Sequence, residues 1–162
     1  MIRAIIASLL IVLSSAAYSD LSEDIDKATS KIADHAVEAF RIHTVVSKYI
    51  LEVSEDGGAT MDSAEVANEL MAFANRIQFQ CNQLFEYSDN QYYGPATQDI
   101  LRYFSPSWAT LKRLSIALTA NDSDTAKAEF NNIVKIFSDK EKLATGLASL
   151  MQVRSEFGLP NE

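Results

Sequence analysis

Ser22–Val53 reads SEDIDKATSKIADHAVEAFRIHTVVSKYILEV and contains neither Gly nor Pro. Ile25, Ile32, Ala39, Val46 and Val53 recur at seven-residue intervals, and Ala28, Ala36, Ile42, Tyr49 and Ile50 fill the turns between them. That spacing lays one apolar stripe along a helix roughly 48 Å long. A stripe of such length needs other elements to cover it. Ser22 is the predicted N-cap, with Glu23, Asp24 and Asp26 in the first turn, where the helix dipole favours anions. The pattern stops near Glu55, because Gly57-Gly58 follows.

Downstream, further stripes answer this one. Val66, Leu70, Phe73, Ile77, Cys81 and Leu84 predict a second helix that runs back along the first and ends near Tyr87, with Asp62 and Glu65 placed for a capping box. Ser88–Pro95 has the chemistry of a loop. Ala96–Phe104 reads as a short helix, and Ser105-Pro106 is either a new helix start or a kink within one longer helix. Trp108, Leu111, Leu114, Ile116 and Leu118 carry the next stripe. Ala126, Phe130, Ile133, Val134 and Phe137 carry the one after it. Ser138 and Glu141 form a second S-x-x-E pattern, so the last helix is read as Thr125–Phe137 and Asp139–Glu156, or as one bent rod. Gly158 marks its stop. The expected fold is all-α: an antiparallel four-helix-type bundle with one or two broken helices.

Residues 1–19 have a different character. Met1-Ile2-Arg3 is a short positive start, Ala4–Leu13 is apolar, and Ala17 and Ser19 fit the small-residue positions before a cut at Asp20. We read 1–19 as a cleavable signal peptide and 20–162 as one helical-bundle domain, so the mature chain is expected to be soluble and periplasmic or secreted. The apolar run is too short for a bilayer, which needs about 20 residues. With only Cys81, no internal disulfide forms, and the domain must rest on its core.

Composition narrows the partners. A net charge of −8 argues against nucleic acid, whose phosphates require a basic face, and against anionic membranes after signal cleavage. Enzyme signatures are missing: no G-x-S-x-G, no G-x-x-x-x-G-K-[ST], no H-E-x-x-H and no C-x-x-C. His35 and His43 border the first stripe, but eight residues separate them by roughly 12 Å along a helix, too far for one shared metal ion. Both are read as edge-of-core residues, and no metal or other cofactor is expected. Cofactor carriage is the alternative, with one histidine and Met61, Met71 or Met151 holding a b-type haem, or a metal ion in the core. Cys81 is read as a buried, inert thiol. Asn121-Asp122-Ser123 fits a glycosylation sequon.

Aromatic residues are the least ordinary feature. More than half of them fall between Phe79 and Trp108. Phe85, Phe104 and Trp108 are expected in the core at one end of the bundle, while Tyr87, Tyr92 and Tyr93 belong to a polar loop suited to half-wet contacts. The candidate partner-binding residues are Tyr87, Tyr92, Tyr93 and Trp108. The expected activity is non-catalytic binding of a protein partner or a small apolar ligand, as in an inhibitor, chaperone or sensor.

Overall fold

The computed structural model describes the backbone of residues 2–55 and 63–160, with side chains for 18–53 and 63–160. Five helices follow in order: α1 (Ile2–Glu55), α2 (Ser63–Phe85), α3 (Gly94–Thr119), α4 (Ser123–Ser138) and α5 (Glu141–Glu156). There is no strand among the described residues. α4 and α5 together form one interrupted fourth rod. α2 lies between α1 and α3, α3 also packs on α4 and α5, and α1 closes the bundle against α5. None of the helices, among the described residues, is long and apolar enough to cross a membrane.

The predicted seam of α1 is the seam observed. Ile25, Ile32, Ala39, Ile42, Val46 and Ile50 are buried, each apolar side chain contributing to the core in place of contact with water. α2 faces them with Val66, Leu70, Phe73, Ile77, Cys81 and Leu84, and Ala67 and Ala74 are buried among them. Small residues also set how closely α5 meets α3. A Cβ on Gly146 would come within 2.7 Å of Ile100 Cγ1, 3.0 Å of Ile100 N and 3.1 Å of Ala96 O.

Several boundaries differ from expectation. Ser22 does not cap α1, because the helix already runs through it; its hydroxyl instead donates to the Phe157 carbonyl at 3.4 Å. Neither Gly nor Pro precedes it in the chain, so nothing stops the helix from extending upstream. The signal-peptide reading rests on side chains mostly outside the described ones, and Asp62 of the first capping box lies outside the described residues. Of the two readings of Ser105-Pro106, the single longer helix is the one observed: α3 is continuous, with Pro106 inside it. The fourth rod does break, but without the predicted box. Ser138 closes α4 by donating to the Lys135 carbonyl at 2.9 Å, and α5 begins after Lys140.

Two stops have clear causes. Asn121 ends α3 at φ 54, a left-handed conformation that Asn tolerates, with Asp122 N–H donating to Ala117 O at 2.9 Å. The sequon asparagine is therefore a helix terminator. Asp122 then caps α4, accepting from Thr125 N–H at 3.1 Å. Gly158, at φ 70, ends α5 in the same way, with Leu159 N–H on Arg154 O at 2.9 Å.

Candidate functional site

At the end of the bundle where α1 and α3 finish and α2 and α4 begin, the stripes do not close. Tyr49, Ile50 and Val53 of α1, Val66 and Leu70 of α2, Leu114 and Leu118 of α3, and Ala126 and Phe130 of α4 surround a cavity of about 320 Å³. Its polar side chains are Tyr49, Ser63 and Lys127. Ala126 is small where the other rods present larger side chains, which leaves part of the space open. The Tyr49 ring packs 5.8 Å from that of Phe73. Its hydroxyl is shielded from solvent and has no hydrogen-bond partner among the described residues. Burial raises the Tyr49 pKa, and the carboxylates of Glu69 and Glu65 raise it further.

The opposite end holds the tyrosines. Asn90 Oδ1 accepts from Tyr92 N–H at 2.8 Å and Tyr93 N–H at 3.4 Å, which sets the turn between α2 and α3. Gly94 is required where α3 starts, since a Cβ there would meet Ser88 O at 2.6 Å. The Tyr87 and Tyr93 rings meet edge to face at 6.2 Å, and Tyr92 meets Phe157 at 5.4 Å. These three tyrosines, with Asn90 and with Asp24, Lys27 and Lys31 of α1, line a half-polar cavity of about 390 Å³. Burial raises the Tyr93 pKa, with smaller contributions from Tyr87 and Asp24.

Trp108 is not part of that group. It lines a separate open groove of about 580 Å³ with Phe85, Leu101 and Pro106, and Lys112 sits 5.2 Å from its ring centroid. Of the three aromatics expected in the core, Phe104 is fully buried, Trp108 is half-buried, and Phe85 is 68% exposed. Phe85 directly follows the inward-facing Leu84, and one residue of helix turns its side chain about 100° away. Ile116 falls outside its stripe for the same reason, next to the buried Ser115 and Ala117.

The histidines are committed elsewhere. His35 Nδ1 is hydrogen-bonded to Gln80 Oε1 at 2.8 Å. His43 is buried against the rings of Phe137 (4.4 Å), Phe104 (5.1 Å) and Tyr103 (5.3 Å). Ser107 donates its hydroxyl hydrogen to the Phe104 carbonyl at 2.6 Å, so its oxygen accepts from His43 Nε2–H, also at 2.6 Å. His43 Nδ1 is left buried and without a hydrogen-bond partner among the described residues. Burial lowers the His43 pKa to about 3. Neither histidine lines any of the three cavities above. Cys81 is buried, and burial raises its thiol pKa to about 11 against a weaker opposing hydrogen bond with Ser105, which keeps it unreactive near neutral pH. Among the described residues no three His, Cys, Asp or Glu side chains gather as metal ligands would.

The fold and its cavities thus define an all-helical bundle with an apolar pocket at one end and a tyrosine-lined one at the other. No protein-family model, curated protein or solved structure matches the chain. Sequence reading picked out the tyrosines and missed the apolar pocket, because Tyr49, Val66, Leu114 and Leu118 sit on the stripes that also build the core. The one available sign was a hydroxyl-bearing residue, Tyr49, on an otherwise apolar stripe.

Proposed function

We propose that the chain is an exported, non-catalytic binding protein whose cargo is a small apolar molecule held in the end cavity. The observation that carries this reading is an apolar space of about 320 Å³ bounded by all four rods. Ligand pockets begin at about 300 Å³, and an apolar cavity of about 150 Å³ already holds benzene.

N-phenyl-1-naphthylamine, an uncharged fluorophore of fitting size, tests the reading. Its emission should rise on titration with the protein, and Ala126→Phe, which fills the space from α4, should weaken binding at least tenfold while the helical circular dichroism signal is kept. No binding, or binding unchanged by Ala126→Phe, rejects the proposal.

A second reading, contact with a protein partner at the tyrosine turn, is supported by three phenols gathered in one cavity. Replacing Tyr92 and Tyr93 together by Ala should abolish partner capture from a native-host extract and leave fluorophore binding intact. Capture that survives the double substitution rejects it.

A further inference from the structure

We infer that the open groove beside Trp108 docks an acidic peptide segment of a partner protein, one that carries an apolar anchor between acidic residues. The groove shares no lining residue with the end cavity, so the inference goes beyond the small-ligand reading. Leu101, Pro106 and Trp108 of α3 and Phe85 of α2 give the groove its apolar surface. Phe85 is 68% exposed and Trp108 is half-buried, so two large rings of one groove meet water. Clustered apolar surface of this kind marks contact sites, and Trp and Arg are the residue types that dominate protein contacts.

Charge then narrows the partner. The chain carries 22 acidic and 14 basic residues, yet the charged side chains lining this groove are Arg102 and Lys142, with no carboxylate among the described lining residues. Lys112 adds a third cation, 5.2 Å from the Trp108 ring centroid and bonded to the neutral Gln78 Oε1 at 2.6 Å. Arg102 shares its charge with Asp99 in an exposed pair, which is a weak tie. Lys112 and Lys142 have no carboxylate partner among the described residues. The groove is thus a basic patch on an acidic protein, and it complements an acidic partner. Spacing sets the kind of partner. Arg102 and Lys112 stand roughly 15 Å apart along the α3 axis, with Trp108 between them. An extended chain covers that span in about five residues. A small anion reaches one cation, whereas a peptide with acids on both sides of an apolar residue reaches both and seats that residue on Trp108 and Phe85.

Trp108 is the only tryptophan of the chain, so its emission reports directly on the groove. Three end-capped hexapeptides serve as probes at low ionic strength: EDLFDE, its basic counterpart KKLFKK, and EDGGDE, which lacks the anchor. EDLFDE should shift the Trp108 emission and bind at least tenfold tighter than either of the others, with an affinity that falls as salt is added. Arg102→Glu together with Lys142→Glu, both at exposed positions, should reverse the preference so that KKLFKK binds the tighter, with the helical circular dichroism signal kept. Lys142→Glu alone is the second variant and should cut the preference for EDLFDE at least threefold. No emission change with EDLFDE, equal binding of EDLFDE and KKLFKK, or a preference untouched by both variants overturns the inference. So does a Trp108 response to phosphatidylglycerol vesicles with none to EDLFDE.

Discussion

The two ends of the bundle are built from the same kinds of stripe and finished in opposite ways. At the tyrosine end, α5 is tied to α1 by Arg154, which pairs with Asp26 at 2.8 Å, donates to Thr29 and Ser30 at 2.9 and 3.2 Å, and holds the Pro160 carbonyl at 2.8 Å. Gln98 donates to Ser88 O at 3.0 Å, and Gly146 lets α5 lie directly on α3. At the other end the cavity walls are mostly apolar, and the buried Tyr49 hydroxyl has no partner among the described residues. A bundle needs only one end locked to hold its helices in register.

The largest expected effect strikes the locked end. Gly146→Val should destabilise the fold by about 3 kcal/mol, because backbone atoms of Ala96 and Ile100 stand where its side chain would go. Urea unfolding measures this, and a loss below 1 kcal/mol would mean that α5 sits more loosely than described. Arg154→Ala should cost about 2 kcal/mol, the scale of hydrogen bonds made by a charged group. A neutral result would show that the tie between α5 and α1 contributes nothing.

His43, between the two ends, gives a smaller effect with a definite sign. Its pKa in the fold is about 3, against an ordinary value of 6.5. The unfolded chain therefore binds the proton first as pH falls, and stability drops progressively from pH 6.5 toward pH 3. Between pH 6.5 and 5 the loss from this residue should be about 1–2 kcal/mol, given a limit of about 1.4 kcal/mol per pH unit for one proton. His43→Gln should flatten that slope. An unchanged slope would mean that the ring is charged or solvated in the folded state.

What the sequence made legible follows from the period of its apolar residues. Ile25, Ile32, Ala39 and Val46 placed the α1 seam, and Val66 through Leu84 placed that of α2, because a seven-residue recurrence has only one helical reading. Local signals served less well where tertiary contacts outweighed them. Ser105-Pro106 carries a start signal, yet α3 continues through it, with Phe104, Ser107 and Leu111 buried on both sides. Ser138 and Glu141 carry a capping pattern, yet Ser138 bonds backwards to Lys135. The tyrosine cluster was visible because its residues are neighbours in the chain. The apolar cavity was not, since its walls come from four separate helices and each wall residue resembles core.

Under the proposed function, the contrast between the ends comes down to where a guest would sit. Nuclear Overhauser contacts between bound N-phenyl-1-naphthylamine and methyl-labelled protein measure it directly. The account expects contacts with the methyls of Val66, Leu114 and Leu118, and none with the rings of Tyr92 and Tyr93. Contacts confined to the tyrosine turn would contradict it.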